Sequence, residues 1–593
     1  MKRLSISTLS VLVVLAAVPF QRAVAQDESP LLQPDLPLER EMTGQDVQAF
    51  RVSLEAGQYL FLTVEQQGID VMLQVTGPDG EVVAEVDSPN GRWGPEPLVL
   101  YPELSGEYRI ELRPFDPEGA DPGRYTASMV RLEAAAATPA GKVDQLFAPW
   151  NDPGAPGASI AVIQDGEIVY DAGYGSAQLE YGIPITPSTI FHVASVSKQF
   201  TAFAVAMLAD QGKLSLDDDI RKYLPEMPDF GHTITIRHLI HHTSGLRDQW
   251  NLLVMGGWRM DDVITREQVL RVMSHQRELN FPPGDEMLYC NTGYTLLAEI
   301  VARVSGQSFP EWTQENIFTP LGMTSTHFHD DHQFVVPDRA YSYGNDTQRG
   351  GFRKSVLSYA NVGATSLFTT VGDLAKWSDN LDNGTVGGER VIEQVLTRAV
   401  LNSGDTVGYA FGLGIGTYRG LPTVSHTGGD AGFRSVLMKF PEQDFAVAIL
   451  SNHGAFNPGG MGQLVANIYL EDEIAEAEGA QQPAAAEPAE EPVEAPADDP
   501  FEPDDVALEQ YVGVFYSPEL ETMYTLVVEE DQLVARHIRH EPATLRPEAA
   551  DRFRGTQFYL GQVRFERDAE GEIIAFRVSN GRVRNLLFEK REP

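Results

Sequence analysis

The segment Ser195-Val196-Ser197-Lys198 constrains the fold of this chain more than any other feature, because it stands directly before a strongly periodic run. Apolar residues recur there at helical spacing until Gly212, a residue typical of helix C-termini. They are Phe200, Phe203, Met207 and Leu208. A lysine three residues after a serine lies one helical turn away on the same face, within reach of the hydroxyl. The sequence therefore predicts a helix that carries a serine nucleophile and an activating lysine.

Ser195 is expected at or near the N-terminus of this helix, after the short apolar stretch Phe191-His192-Val193-Ala194. Unpaired backbone N–H groups and the positive end of the helix dipole meet there. Both favour a negatively charged oxygen, such as the oxyanion that forms when a serine attacks a carbonyl.

A second candidate segment is Tyr289-Cys290-Asn291, although the tyrosine-x-asparagine pattern also occurs at Tyr343 with Asn345 and at Tyr359 with Asn361. The context favours Tyr289. The turn signal Phe281-Pro282-Pro283-Gly284 precedes it, and a helical pattern follows it until Gly306. We interpret the other two tyrosines as loop or core aromatics.

With His426-Thr427-Gly428 as a third segment, residues 145–470 resemble the serine β-lactamase and penicillin-binding-protein superfamily. The branch is the one that holds class C β-lactamases, D-Ala-D-Ala carboxypeptidases and related esterases. Further segments that carry the resemblance are FHVASVSKQFT (191–201), IRHLIHHTSGL (236–246), PLGM (320–323) and TVGDLAKW (370–377). The resemblance implies an α/β (α+β) fold, with an antiparallel sheet flanked by helices and a helical subdomain.

The resemblance also implies the roles of the site residues. Ser195 would attack a carbonyl, and Lys198 and Tyr289 would share the proton transfers, with the identity of the general base left open. Asn291 would hold the substrate amide or the lysine ammonium. The backbone N–H groups of Ser195 and Gly429 would bind the oxyanion, and no cofactor or metal is implied.

The strand segment His426-Thr427-Gly428-Gly429 would dock the substrate, with glycines that allow close approach of its backbone. His426 stands where class C β-lactamases usually carry lysine, and a histidine there resembles the carboxypeptidases and esterases. Because an unperturbed histidine has a pKa of about 6.5, recognition of a substrate carboxylate is expected to be sensitive to pH.

Two other segments suggest alternative chemistry. The segment from His327 to His332, with sequence HFHDDH, matches a pattern that binds two zinc ions in metallo-β-lactamase-fold hydrolases. It follows the PLGM segment of the serine family, so we interpret it as a His-rich surface loop. Cys290 is the only cysteine of the chain and has no partner for an internal disulfide, which favours a small space-filling role.

The 593 residues exceed what one hydrophobic core can organise, so several domains are expected. The sequence indicates five parts: a signal peptide (1–25), a β-sandwich that resembles pre-peptidase C-terminal modules (35–133), the hydrolase domain (145–470), an acidic Ala/Pro-rich linker (471–505), and a lipocalin-like β-barrel (506–593). The linker contains 14 acidic residues and no basic ones.

The formal net charge of −41 makes nucleic acids and anionic membranes improbable partners, and the first apolar run is too short for a stable membrane anchor. The sequence predicts a secreted or periplasmic serine hydrolase, cleaved near Ala25. It would act through an acyl-enzyme on a small-molecule or peptide substrate, namely D-amino-acid peptides or small esters. The alternatives are a class C-like β-lactamase and a catalytically idle protein that binds penicillins or cell-wall peptides. The oligomeric state stays open.

Overall fold

A computed structural model describes residues 29–88, 91–116, 122–346, 349–474 and 507–592. The predicted signal peptide and nearly all of the predicted acidic linker lie outside these residues. In the described part of the chain, no helix combines the length and the apolar composition needed to cross a bilayer.

The N-terminal part is a β-sandwich whose strands alternate buried and exposed residues, as a half-buried sheet requires. Its strands are β1 (Leu38–Met42), β2 (Gln48–Leu54), β3 (Gln58–Gln67), β4 (Val71–Thr76), β5 (Val82–Val86), β6 (Trp93–Leu100), β7 (Gly106–Pro114) and β8 (Gly123–Ala134). Two antiparallel sheets, in the orders β1-β8-β3-β6 and β2-β7-β4-β5, share one apolar core. The hydroxyl of Tyr59 donates to the carbonyl of Gln145, which ties the sandwich to the next domain.

The central domain is built on a six-stranded antiparallel sheet in the order β10-β9-β23-β22-β21-β20. The strands of this domain are β9 (Ala158–Gln164), β10 (Glu167–Tyr174), β11 (Ser176–Gln178), β12 (Ile183–Pro184), β13 (Phe191–His192), β14 (Ile264–Thr265), β15 (His327–Phe328), β16 (Ser342–Asn345), β17 (Phe352–Ser355), β18 (Tyr359–Ala360), β19 (Leu367–Thr369), β20 (Gly414–Tyr418), β21 (Leu421–Asp430), β22 (Phe433–Phe440) and β23 (Phe445–Ser451).

Helices cover both faces of this sheet. They are α1 (Pro139–Leu146), α2 (Ser197–Asp210), α3 (Ile236–Ile240), α4 (Gln249–Met255), α5 (Arg266–Ser274), α6 (Asn291–Ser305), α7 (Phe309–Thr313), α8 (Val371–Asn383), α9 (Glu389–Val395) and α10 (Pro458–Tyr469). On one face α1 and α10 share an apolar cluster with the sheet, and on the other α2 and α8 do so. Because the sheet is buried on both faces, β9 and β23 are almost continuously apolar.

The C-terminal part is a closed antiparallel barrel, in which the last strand pairs with the first. Its strands are β24 (Gly513–Ser517), β25 (Thr522–Glu529), β26 (Gln532–His537), β27 (His540–Ala549), β28 (Arg552–Gly555), β29 (Gln562–Arg567), β30 (Ile573–Asn580) and β31 (Val583–Arg591). The predicted fold class, with its flanked antiparallel sheet, helical subdomain, sandwich and barrel, is confirmed. The barrel packs on α4 and the segments around it, and Tyr524 donates to the carbonyl of Met255 across this contact.

Candidate active site

Ser195 lies in a short 3-10 turn, Ala194–Val196, that leads directly into α2. The residue before it, Ala194, has a φ of 47°, in the left-handed region that residues with a Cβ seldom adopt. Such strain persists only where the surrounding structure imposes it. The turn therefore holds Ser195 at the entrance to the helix, where the sequence predicts it.

Lys198 lies one turn into α2 and is fully buried. Its Nζ donates three hydrogen bonds: 3.0 Å to Ser195 Oγ, 2.8 Å to Asn291 Oδ1 and 2.7 Å to the carbonyl oxygen of Ala364. Burial lowers the pKa of Lys198 to about 7, against the opposing effect of the Asp430 and Asp248 carboxylates. The amine beside the serine hydroxyl is therefore unprotonated in a large fraction of molecules at neutral pH.

Asp248 orients Asn291 toward Lys198, and sequence reasoning missed it. Its Oδ2 accepts hydrogen bonds from the backbone N–H of Asn291 at 2.7 Å and from Nδ2 at 2.8 Å. The amide oxygen of Asn291 is thereby turned to the lysine. Asp248 also caps α4 by accepting from the N–H of Trp250, so an N-cap pattern was the signal that could have marked it.

Tyr289 is the tyrosine that the fold brings to Ser195 and Lys198. Its ring centroid lies 4.9 Å from Lys198 Nζ, and its hydroxyl is buried without a hydrogen-bond partner in the described structure. Burial raises the pKa of Tyr289 well above its usual value, although the nearby Ser195 hydroxyl and the positive charge of Arg582 lower it. The phenol is therefore protonated at neutral pH and available as a proton donor.

The other two tyrosine-x-asparagine pairs lie elsewhere. Tyr343 donates to the Glu180 carboxylate at the edge of the core. Tyr359 stacks on Trp250, with ring centroids 4.7 Å apart, and its hydroxyl lies 3.5 Å from Asp430 Oδ1. It therefore borders the site but does not approach Ser195 through any contact that the structure shows.

The ring of Tyr289 packs against the rings of His242 and Tyr409. The imidazole of His242 lies 4.2 Å from the Tyr289 ring, centroid to centroid, and Tyr409 Oη lies 3.1 Å from His426 Nε2.

Burial, and secondarily the charge of Lys198, lowers the pKa of His426 to about 4. His426 is thus neutral at neutral pH. The protonation of His426 that was expected near pH 6.5 therefore occurs at a much lower pH in the free protein.

The strand β21 carries His426, Thr427, Gly428 and Gly429 past Ser195. A Cβ on Gly428 would lie 2.4 Å from the carbonyl oxygen of Val193 and 3.0 Å from the N atom of Ser195, so only glycine fits there. Thr427 and Gly429 are exposed. The ladder with β20 ends at Ser425, which leaves the following residues with an open edge for an extended substrate.

Asp430, at the end of β21, is a second residue that sequence reasoning missed. Thr365 donates to its Oδ2, and burial raises the pKa of Asp430 to about 6 in spite of that bond and the charge of Lys198. No motif marked it, because its relation to Thr365 and Lys198 arises only when β21 packs against the turn Ala194–Val196 that precedes α2.

The two segments that suggested alternative chemistry are the His-rich segment 327–332 and Cys290. His327 Nε2 lies 3.3 Å from His329 Nδ1, and the part of the chain that the structure describes has no group of three or more His, Cys, Asp or Glu residues arranged to hold a metal. Cys290 is buried, and its thiol donates to the carbonyl of Leu246. Burial raises the pKa of Cys290 to about 12, so the thiol stays protonated and unreactive.

Comparisons with known proteins place this arrangement in context. The family model described as Beta-lactamase matches residues 143–467. A D-aminopeptidase of Gluconobacter oxydans (strain 621H) is 29% identical over 298 residues, which are 50% of this chain and 56% of that protein. Penicillin-binding protein 4* of Bacillus subtilis (strain 168) is 27% identical over 310 residues, 50% of this chain and 67% of that protein. The chain thus spans little more than half the length of the first relative.

One solved structure shares its fold with about three quarters of this chain. The octameric penicillin-binding protein homologue from Pyrococcus abyssi aligns with a TM-score of 0.51 and 24% identity. The alignment covers 76% of this chain and 99% of that chain. At this identity the likeness speaks for the fold alone.

Proposed function

Since the chain belongs to the Beta-lactamase family, we propose that it is a serine hydrolase that cleaves peptides, amides or small esters of D-amino acids through an acyl-enzyme at Ser195. The observation that carries the proposal is the 3.0 Å contact between Ser195 Oγ and a buried Lys198 whose pKa lies near 7. The name D-aminopeptidase on a relative supports a D-amino-acid substrate.

In the first step, neutral Lys198 accepts the hydroxyl proton of Ser195 while Oγ forms a bond to the substrate carbonyl carbon. Asn291 holds the lysine in place throughout. The carbonyl oxygen becomes an oxyanion, and the backbone N–H groups of Ser195 and Gly429 are the donors proposed to stabilise it. Lys198 is accordingly the general base of acylation, because its pKa is lowered whereas that of Tyr289 is raised.

In the second step, the tetrahedral intermediate collapses and the bond to the leaving group breaks. Tyr289 gives its proton to the departing amine or alcohol, and the tyrosinate takes a proton back from the Lys198 ammonium. Water then attacks the acyl-enzyme, releases the acid and restores the Ser195 hydroxyl.

The proposal is tested by incubating the protein and its Ser195→Ala variant with a fluorophosphonate, a fluorescent penicillin and an acyl-D-Ala-D-Ala peptide. We expect labelling at Ser195 and release of D-alanine, both absent in Ser195→Ala. Ser197→Ala is the matched control, because the Ser197 hydroxyl faces the core and accepts from the N–H of Leu367. The Ser197→Ala variant should still be labelled at Ser195.

Other outcomes would contradict the proposal in distinct ways. Rapid hydrolysis of penicillin with no action on the peptide or on simple esters would indicate a β-lactamase. A penicillin adduct that never turns over, with no other activity, would indicate an idle binding protein.

We expect Tyr289→Phe to slow peptide cleavage by about 10²- to 10³-fold, because the leaving amine loses its proton donor. A p-nitrophenyl ester should be much less affected, since its leaving group departs without protonation. Single-turnover rates with both substrates measure the difference, and Tyr343→Phe serves as the control. Equal losses with the two substrates, or an inactive Tyr359→Phe, would contradict the role assigned to Tyr289.

A further inference from the structure

The C-terminal barrel reaches into the active site through the tip of one hairpin. The strands β30 and β31 are joined by the two-residue loop Gly581-Arg582, with Asn580 paired to Val583. The carbonyl of Arg582 accepts a hydrogen bond from the backbone N–H of Asp248 at 3.3 Å and one from Asn280 Nδ2 at 3.0 Å. The hairpin tip is therefore fixed beside the aspartate that orients Asn291.

The side chain of Arg582 extends from this tip over Tyr289. Its guanidinium carbon lies 4.9 Å from the centroid of the Tyr289 ring, and the residue is exposed to solvent. Arg577 and Arg584, its neighbours on the hairpin, form ion pairs with Glu278 and Glu286. Arg582 forms no ion pair with any residue that the structure describes, and its exposed guanidinium lies against the Tyr289 ring.

The other cationic or basic groups at the site are less available to bind an anion. Lys198 is fully buried, and its Nζ is already engaged by Ser195 Oγ, Asn291 Oδ1 and the Ala364 carbonyl. The imidazole of His426 is neutral at neutral pH. Arg434, on the strand next to β21, donates to the carbonyls of Ala431 and Phe433.

The position over Tyr289 indicates which part of a substrate meets Arg582. In the proposed mechanism Tyr289 protonates the leaving group. Lys198 lies equally close to the Tyr289 ring but is buried beside Ser195, so the exposed Arg582 is the cation that a leaving residue can meet. A guanidinium matches a carboxylate in a planar, bidentate geometry. A peptide whose last residue leaves with a free carboxylate presents such a group there.

We propose that Arg582 of the barrel binds the free carboxylate of the leaving residue and so selects D-peptides with an uncapped C-terminus. This inference rests on the proposed hydrolase function. The barrel then completes the substrate site of the central domain, and a peptide amide or an ester without a carboxylate loses the interaction. Because Arg582 is exposed, solvent weakens the pair, and we expect a preference of about tenfold.

The test measures binding separately from turnover. The Ser195→Ala variant of the full chain is titrated with an acyl-D-Ala-D-Ala peptide and with the same peptide capped as its C-terminal amide. We expect the free acid to bind about tenfold more tightly. The additional substitution Arg582→Gln should abolish this preference without weakening the amide, and Arg582→Lys should retain part of it. Arg564→Gln, on the neighbouring strand β29 of the barrel, is the matched control and should retain all of it.

Equal binding of acid and amide to Ser195→Ala would overturn the inference, as would binding of neither. A preference that Arg434→Gln removes and Arg582→Gln leaves intact would also overturn it and assign the subsite to Arg434. Hydrolysis is followed in the wild-type protein as a separate readout. A carboxylate preference that depends on Arg582, without release of D-alanine, would support the subsite and contradict the proposed hydrolase function.

Discussion

Lys198→Met is expected to lower the rate of Ser195 acylation by about 10²- to 10⁴-fold, the range typical for loss of a general base. Methionine has a similar length and fits an apolar surrounding, but it cannot accept the proton of Ser195 Oγ. It also leaves Asn291 Oδ1 and the Ala364 carbonyl without their donor. Time-resolved labelling with a fluorophosphonate measures the loss, and thermal unfolding verifies that the variant is folded.

The same residue should set the pH dependence of acylation. Burial lowers the pKa of Lys198 from 10.5 to about 7, so protonation below that pH removes the base and acylation falls as the pH decreases. The charges facing the ammonium act in both directions: Asp430 and Asp248 raise its pKa, and Arg582 lowers it. Acylation should therefore increase with pH through a midpoint near 7 and then level off.

Lys198→Arg provides the control for charge. Arginine keeps the positive charge but stays protonated at every accessible pH, so it should be as inactive as methionine and show no midpoint near 7. A Lys198→Met variant that retained acylation within a few-fold of wild type would contradict this assignment. If Tyr289→Phe were then the inactive variant, the tyrosine would be the base.

Glu519→Gln is expected to destabilise the contact between barrel and central domain by about 3–5 kcal/mol, as breaking a buried ion pair does. Arg247 is fully buried, and its Nη1 donates to both carboxylate oxygens of Glu519 at 2.7 and 2.6 Å. Its remaining carboxylate neighbour, Glu278, lies 3.4 Å away and is half exposed. Without Glu519, the guanidinium keeps a full charge in a buried position with little compensation.

The loss should also affect Asn291 and Lys198, because Arg247 directly precedes Asp248. Undocking of the barrel frees the Asp248 N–H from the Arg582 carbonyl and loosens the chain of contacts from Asp248 through Asn291 to Lys198. We therefore expect slower acylation together with faster hydrogen exchange along β24, β25 and α4. Urea unfolding of the full chain should show the barrel separating before the central domain unfolds.

Glu521→Gln is the matched control for this prediction. Glu521 lies two residues away and pairs with Arg271 of the central domain at 2.7 Å, but both side chains are exposed to solvent. Such surface pairs contribute at most about 1 kcal/mol, so its removal should leave docking and acylation nearly unchanged. Equal effects of the two substitutions would contradict the importance assigned to the buried pair.

Much of the architecture was readable from local patterns. The apolar periodicity after Ser197 predicts α2, and the residues after Asn291 predict α6, whose end at Gly306 has the left-handed φ of 75° typical of a C-cap. Alternating residues predict the strands of the sandwich, and the short strands after residue 506 predict a barrel. These elements depend on spacing within one segment, which a sequence displays directly.

The placement of Tyr289 could be predicted for the same reason, since the turn before it and the helix after it differ from the surroundings of Tyr343 and Tyr359. Asp430 could not. Its carboxylate matters because β21 carries it to Thr365 and Lys198, more than 60 positions away along the chain.

The sequence by itself determined the position of Ser195 at the start of a helix, the lysine one helical turn from it, and the order of the segments that build the domain. Only the tertiary structure decided that Lys198 has a pKa near 7, that His426 is neutral, and that Arg582 lies over Tyr289. The pKa values depend on how completely packing removes water from each group, which no motif encodes. Arg582 comes from a separate barrel, and only the docking of two domains brings it to Tyr289.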